Sequence, residues 1–201
     1  RISGLANIYF VWQKQLAGLG DAIMYARDHV GREPFAVLLG DTLLESGKPV
    51  TRQLIQVFNK YGGSSVALEE VDRDKVSRYG VIDGTAVEKD LYRINALVEK
   101  PPVEKAPSNL VIAGRYVFTP DIFDYIEQTR KGRNNEIQLT DAMQMMAAEH
   151  EMYGLRFDGT RYDIGNKLDF LKTNVIFGLH RKDAEFTADF RKFIKEVARD
   201  L

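Results

Sequence analysis

Two aspartates in the sequence stand where a strand-like stretch ends, a position suited to holding a cation. Asp41 follows the apolar run 35–39 and Gly40, and Asp163 lies in the segment 162–166. In an open α/β sheet, ligands bind beyond the carboxyl ends of the strands, and carboxylates with phosphate oxygens suit Mg²⁺. We therefore expect Asp41 and Asp163 to meet at one magnesium site. Each also has a structural alternative, because Asp41 can form a turn and Asp163 can cap the following helix.

A second candidate is a pair of opposite charges, Glu99 and Lys100, at the end of a strand-like stretch that Pro101 stops. Neighbouring residues of a strand point to opposite faces, so we expect the two charges on opposite faces. Glu99 can accept hydrogen bonds from vicinal sugar hydroxyls, and Lys100 can neutralise a phosphate. The alternative is that both belong to a solvated strand end.

A third candidate is the stretch from Gln13 to Gly20, in which Gly18 and Gly20 precede an expected helix. Glycines there leave bare backbone N–H groups at the positive end of the helix, which favours anions or polar base edges. The sequence contains neither the G-x-G-x-x-G dinucleotide fingerprint nor a Walker motif. The segment 159–161 (GTR) lacks preceding glycines, and we discount it as a phosphate loop.

Composition limits the classes of function. With 201 residues and 44% hydrophobic residues, the chain can bury a real core. Its net charge of -1 gives no electrostatic reason to expect nucleic acid or an anionic membrane as partner. Cysteine is absent, which excludes disulfides, and the three histidines lack zinc-ligand spacing and are expected at the surface. No apolar run approaches membrane-spanning length, and we expect a cytoplasmic protein.

The elements that must position these residues alternate between strand and helix patterns in the first part of the chain. Strands are predicted at 7–11, 35–39 and 65–68, and the continuous apolar run 35–39 is typical of a parallel strand buried on both faces. We therefore predict a three-layer α/β/α, Rossmann-like fold with a mixed, mainly parallel sheet.

After about residue 78 the pattern favours antiparallel strands and further helices. The predicted strands are 80–82, 92–98 and 110–118, with a turn at Asp83-Gly84 between the first two. A helix is expected to start at Thr119-Pro120-Asp121, with Thr119 as its cap and Pro120 at the first position. Further helices are expected after Leu139-Thr140-Asp141, from 168 to 179 and at the C-terminus. Met143, Met145 and Met146 are interpreted as core or interface filling rather than a metal site.

Together these pieces are more specific than any one alone. In order they are Gln13, 18–22 (GLGDA), 39–41 (LGD), 79–81 (YGV), 98–101 (VEKP), 106–110 (APSNL), 114–117 (GRYV), 136–142 (EIQLTDA) and 162–167 (YDIGNK). From Gln13 to about Leu179, the chain resembles the bacterial UTP–glucose-1-phosphate uridylyltransferase family, which belongs to the sugar-phosphate nucleotidylyltransferases. The APSNL and EIQLTDA blocks distinguish it from related thymidylyl- and adenylyltransferases.

The resemblance implies roles for individual residues. Gln13 and Gly18 match positions that read the uracil edge. Asp41 and Asp163 match the Mg²⁺ ligands and, with Lys100, the catalytic set. The sugar-binding positions that it implies are Gly80, Glu99, Lys100, which holds the sugar phosphate, and Gly114.

The implied reaction converts UTP and glucose 1-phosphate to UDP-glucose and pyrophosphate. Two departures from the family pattern stand out. Asp21 replaces a common histidine, a change we expect to matter little. The family's opening G-x-G-T-R loop and a downstream lysine have no counterpart, so we expect an N-terminally truncated member. The alternatives are a non-catalytic sugar-nucleotide-binding or oligomerisation module, and an enzyme for another sugar phosphate.

We divide the chain into a nucleotidyltransferase domain at 1–180 and an amphipathic C-terminal helix at 181–201. The helix carries an apolar stripe formed by Phe186, Phe190, Phe193, Ile194 and Val197. Such a stripe favours self-association into a dimer or tetramer, and the alternative is that it packs on its own domain.

Overall fold

The computed structural model describes residues 4–199. The strands are β1 (Phe35–Leu38), β2 (Thr42–Ser46), β3 (Ser64–Glu70), β4 (Gly80–Glu88), β5 (Leu91–Glu99), β6 (Leu110–Phe118), β7 (Met152–Arg156) and β8 (Gly159–Asp163). The helices are α1 (Leu19–Met24), α2 (Arg27–Val30), α3 (Val50–Tyr61), α4 (Ile122–Gln128), α5 (Leu139–Glu149), α6 (Lys167–Leu179) and α7 (Ala184–Arg199). Short 3₁₀ turns lie at Arg73–Arg78, Val103–Lys105 and Arg133–Asn135.

Six of these strands form a mixed sheet in the order β1-β6-β3-β7-β5-β4, and β4 also pairs with β6. Within this sheet β3 and β7 run parallel, and the other described pairs are antiparallel. The α/β class is confirmed, but the expectation of a mainly parallel sheet is wrong. The prediction was wrong because the apolar run at β1 was interpreted as a strand buried on both faces. In the structure β1 lies at the end of the strand order with alternating exposure, and Leu38 is 56% exposed.

The antiparallel strands after residue 78 are confirmed, with one change at their turn. β4 continues through Asp83-Gly84 with a shift of register, and the chain reverses at Lys89-Asp90 instead. Asp90 adopts a positive φ of 62°, which is tolerated by aspartate in tight turns. The strand expected at 7–11 is not formed, because residues 7–11 are exposed and make no sheet pairing.

The helices largely follow their sequence patterns. α3 ends at Tyr61 and is followed by Gly62, which takes the left-handed conformation of a helix C-cap. Met143 and Met146 of α5 are buried, as expected of core methionines, and the three histidines are exposed. α4 begins at Ile122, later than the Thr119 cap predicted. Within residues 4–199, no helix is long and apolar enough to cross a membrane.

By internal contacts the chain divides into two compact units. The first contains the described residues up to Leu38 together with Ser46–Asp158, and it holds the six-stranded sheet. Its core includes the buried side chains of Leu68, Ile82 and Phe118. The second contains Leu39–Glu45 and the described residues from Gly159 onward. This division differs from the predicted boundary at residue 180, because α6 joins α7 in the second unit.

Candidate functional site

The first cluster of interest surrounds the carboxylate of Glu99, the last residue of β5. Glu99 lies opposite Gly80, the first residue of β4. Thr140, at the start of α5, donates a hydrogen bond from Oγ1 to Glu99 Oε2 over 2.6 Å. A Cβ on Gly80 would lie 3.0 Å from Thr140 Oγ1 and 3.4 Å from Glu99 Oε2. Glycine therefore lets β4 approach the Glu99–Thr140 pair closely, and the Glu99 side chain remains 16% exposed.

Lys100 turns back toward the same carboxylate. Its φ of 43° lies in the left-handed region, and its backbone N–H donates to the carbonyl of Tyr79 over 3.0 Å. Its Nζ then lies 3.2 Å from Glu99 Oε1. The expectation that Glu99 and Lys100 lie on opposite faces is therefore wrong, because Lys100 has already left the strand. The result is a carboxylate acceptor and a cation side by side.

Asp141 adds a second carboxylate near this cluster. Burial raises the pKa of Asp141, and the negative charge of Glu99 raises it further. Sequence reasoning assigned no role to Thr140 or Asp141, although both lie in the EIQLTDA block that contributed to the resemblance. That block was the available signal, and the structure places the start of α5 against the end of β5.

Gly114 lies in β6 and has a backbone reason to be glycine. Its φ of 69° falls in the left-handed region, within a stretch where the register between β3 and β6 shifts. Two residues away, Ile112 Cδ1 lies 3.0 Å from where a Cβ on Gly80 would stand. Ile112 therefore borders the Glu99 cluster at Gly80, and Gly114 lies two positions after it in sequence.

A second cluster is formed by Gln13 and Gly18, the expected base-reading residues. Gln13 Nε2 donates to the carbonyl of Gly18 over 3.3 Å and to Asp21 Oδ2 over 2.7 Å. Gly18 has a φ of 99°, and a Cβ there would stand 2.8 Å from both Glu136 Cβ and the Ile137 carbonyl oxygen. Glycine is needed at this position because of both its conformation and this close approach. The Gln13–Asp21 contact was not foreseen when Asp21 was expected to matter little.

The second unit carries the two aspartates of the expected metal site, which the fold brings together. Asp41 stands just before β2 and Asp163 ends β8, and these two strands form their own sheet. Asp41 Oδ2 lies 3.1 Å and Asp163 Oδ1 lies 3.2 Å from the point where a Cβ on Gly165 would stand. The Ile164 N–H also donates to the Asp41 carbonyl over 2.8 Å. Both carboxylates therefore border the space that Gly165 leaves open.

Asp163 is not the cap of the helix that follows it, because another residue caps α6. Asn166 caps α6, with its Oδ1 accepting from the Asp169 N–H over 2.9 Å. Asp163 instead accepts from the Gly165 N–H over 3.1 Å, which holds its Oδ1 beside the space that it borders with Asp41. This donor set fits Mg²⁺, because the ion commonly binds one or two protein carboxylates and takes its other ligands from water and phosphates. Within residues 4–199, no cluster of three or more metal-ligating side chains occurs.

The sequence-predicted residues that the structure brings together form three groups: Gln13 with Gly18, Gly80 with Glu99 and Lys100, and Asp41 with Asp163.

Comparisons with known proteins give the family to which the chain is similar. The family model described as nucleotidyl transferase matches residues 3–177. A UTP–glucose-1-phosphate uridylyltransferase of Staphylococcus epidermidis is 48% identical over 193 residues, which cover 96% of this chain. The match spans 66% of that relative's length, slightly less than two thirds.

Solved structures show the same likeness. A UDP-glucose pyrophosphorylase complexed with UDP-glucose is 43% identical with a TM-score of 0.81, covering 84% of this chain and 65% of that one. A UTP-bound enzyme of the same type from Acinetobacter baumannii is 34% identical with a TM-score of 0.79, covering 90% of this chain and 63% of that one.

Proposed function

The chain belongs to the nucleotidyl transferase family, and from that premise we propose that the whole protein is a UTP–glucose-1-phosphate uridylyltransferase. It would convert UTP and glucose 1-phosphate to UDP-glucose and pyrophosphate. The relatives reported above carry this activity in their names. In this chain the proposal depends on the residues themselves, and chiefly on the cluster around Glu99.

The observation that carries the proposal is the pairing of an acceptor with a cation. The Glu99 carboxylate is held by Thr140 and can accept hydrogen bonds from sugar hydroxyls. Lys100 places an ammonium group 3.2 Å from it, close enough for one ligand to meet both groups. A sugar phosphate carries hydroxyls and an anion on neighbouring atoms, so it matches this pair better than either a neutral sugar or a free phosphate.

The proposed reaction is a single in-line displacement. An oxygen of the sugar phosphate forms a bond to the α-phosphorus of UTP, while the bond to the β-phosphate oxygen breaks and pyrophosphate leaves with the electron pair. In such transfers, positioning and charge neutralisation provide most of the rate enhancement. Lys100 would hold and neutralise the attacking phosphate, Glu99 and Gly80 would orient the sugar, and Gln13 with Gly18 would read the base.

Magnesium is part of the proposal. Asp41 and Asp163 would hold the ion, and bound Mg²⁺ would neutralise charge on the phosphates. Magnesium titration of the chain by calorimetry tests this without an activity measurement. We expect Asp41→Asn and Asp163→Asn each to weaken binding by about tenfold or more, since each removes one anionic ligand. Asp158→Asn, at an exposed aspartate outside the pair, should leave the affinity unchanged. Equal affinity in all four proteins would refute the site.

The test of activity is a substrate panel. The whole protein is incubated with UTP, dTTP or CTP and with glucose, galactose or mannose 1-phosphate, and the nucleotide sugar and pyrophosphate are quantified. We expect the highest kcat/KM with UTP and glucose 1-phosphate. A higher value with another pair would refute the assignment of substrates. Binding of UDP-glucose with no transfer from any nucleotide would favour the non-catalytic alternative.

We further propose that the protein self-associates through α7. Phe186, Phe193 and Val197 are 41%, 55% and 45% exposed. Phe190 differs, because its ring packs at Gly178 of α6, where a Cβ would stand 2.5 Å from Cε1. Phe190 thus joins α7 to α6, which is the intramolecular role considered from the sequence, and the exposure of its neighbours supports the proposed contact with a partner.

The charges of α7 fit a second copy in antiparallel orientation. The first half is net acidic, with Glu185 and Asp189 against Arg191, and the second half is net basic, with Lys192, Lys195 and Arg199 against Glu196. Two such helices that pack antiparallel place the net acidic half of each beside the net basic half of the other. Phe193→Glu should convert the oligomer to a monomer in light scattering, whereas Lys89→Glu, at an exposed turn, should not. An unmodified protein that is monomeric at high concentration would refute the proposal.

A cytoplasmic location completes the proposal, because both charged substrates would have to be supplied in the same compartment as the enzyme. Cell fractionation followed by immunodetection tests it, and recovery mainly outside the cytoplasmic fraction would refute it.

A further inference from the structure

We propose that Asp21 determines base selectivity by fixing the orientation of the Gln13 amide, an inference that rests on the proposed role of Gln13 in reading the base. Asp21 is the residue at which this chain departs from the GLGHA pattern common in the family it resembles. It lies in the first turn of α1, and its Oδ2 accepts from Gln13 Nε2 over 2.7 Å.

The chemistry of the two neighbours decides which way the amide points. A side-chain amide has a donating NH₂ and an accepting oxygen, and it can rotate to present either end. Both groups beside Gln13 are acceptors only: the Asp21 carboxylate and the Gly18 carbonyl. A flipped amide would set its oxygen against these two oxygens. The NH₂ group is therefore held on the protein side, and Gln13 Oε1 is the end that remains for a ligand.

An accepting oxygen that meets N3 of the base selects a particular class of base. Uracil and thymine carry an imide N3–H that donates to such an oxygen. Cytosine has an unprotonated N3 that would oppose it, lone pair against lone pair. Sites built around a hydrogen bond discriminate strongly against a partner that cannot make it, because a buried polar group is then left unpaired. Asp21 thus acts as a positioning residue that selects imide bases over cytosine through Gln13.

The removal of the acceptor should free the amide to rotate. We compare the ratio of kcat/KM for UTP to that for CTP in the whole protein and in two variants. Asp21→Leu is close to aspartate in size and accepts nothing, whereas Asp21→Asn can still accept through Oδ1. We expect Asp21→Leu to lower the ratio by about tenfold or more, and Asp21→Asn to stay within about threefold of the unmodified ratio. The ratio cancels the general effect of losing a negative charge near an anionic substrate.

An unchanged ratio in Asp21→Leu overturns the inference. So does an equal fall in both variants accompanied by a lower melting temperature, which would indicate a purely structural role. Failure of the proposed function is distinguishable from either result. If the protein prefers dTTP to UTP, the uridylyl assignment fails, but the ratio to CTP still decides the role of Asp21. If it transfers no nucleotide, the ratio of the Kd values for UMP and CMP decides it in the same way.

Discussion

The hydrogen bond between Thr140 and Glu99 offers a direct test of how the candidate sugar site is held. Thr140→Val keeps the shape of the side chain and removes only the hydroxyl that donates to Glu99 Oε2 over 2.6 Å. Thr140 is 7% exposed, so water cannot readily replace the lost donor at that side of the carboxylate. The variant therefore leaves an acceptor unpaired without opening a cavity.

The expected loss follows from the charge and burial of the pair. Hydrogen bonds to charged groups contribute about 1.5–3 kcal/mol, and we expect the free energy of unfolding to fall by about 2 kcal/mol. For a chain of this size, that corresponds to a fall in melting temperature of roughly 4–8 °C. The freed carboxylate would also be less well oriented toward a sugar, so we expect KM for glucose 1-phosphate to rise about tenfold while KM for UTP stays constant.

Thr140→Ser is the matched control because it keeps the hydroxyl and removes one methyl group. It should lose roughly 1 kcal/mol of stability through lost burial, yet its KM for glucose 1-phosphate should remain close to that of the unmodified protein. Urea unfolding followed by circular dichroism, together with initial-rate kinetics on the whole protein, measures both quantities. Equal KM values for Val and Ser would refute the claim that the hydroxyl positions Glu99.

Three further predictions follow from the same structure. Lys100→Ala should raise KM for glucose 1-phosphate and slow turnover together, since a charge on the attacking phosphate serves binding and positioning; unchanged kinetics would make Lys100 a strand-end charge only. Asp141→Asn should stabilise the chain at neutral pH, because the raised pKa of Asp141 means that its ionised form is disfavoured in the folded state. The gain in the free energy of unfolding should vanish in urea titrations below pH 3.8, the ordinary pKa of aspartate, because the side chain is then protonated in both states. Gly18→Ala should destabilise the chain by about 1–3 kcal/mol. Gly31 also has a positive φ, but a Cβ there would have no atom within 4 Å, so Gly31→Ala should lower the free energy of unfolding by less. Equal losses of stability in the two variants would show that the contact with Glu136 is unimportant.

Local patterns predicted individual elements well and the sheet less well. β6 spans the predicted 110–118, and α5 begins at Leu139, slightly before the start predicted after Asp141. The apolar run at β1 was interpreted as a doubly buried parallel strand, but a run of apolar residues does not reveal which strands pair with it. Pairing depends on distant parts of the chain, and β1 pairs antiparallel with β6.

The candidate site shows the same limit at the level of side chains. Asp41 and Asp163 were expected to meet, and the structure brings both to Gly165. The contact of Glu99 with Thr140 was not predicted, because the two residues lie 41 positions apart and no local pattern links them. The return of Lys100 toward Glu99 depends on a left-handed φ in a residue other than glycine, which sequence rarely signals.

The discontinuous second unit has a consequence for the order of events during folding. Its two stretches, Leu39–Glu45 and the part from Gly159 onward, are separated in sequence by most of the first unit. Within the first unit, Ser46 Oγ donates to the Asp158 carbonyl over 2.8 Å, so the point where the chain returns to that unit lies beside the point where it leaves it for the second time. Closing a loop of about 120 residues costs roughly 2 kcal/mol more than closing one of about 10. The carboxylate pair should therefore assemble late in refolding, after the sheet, and the ability to bind magnesium should appear in a slower phase than the recovery of secondary structure.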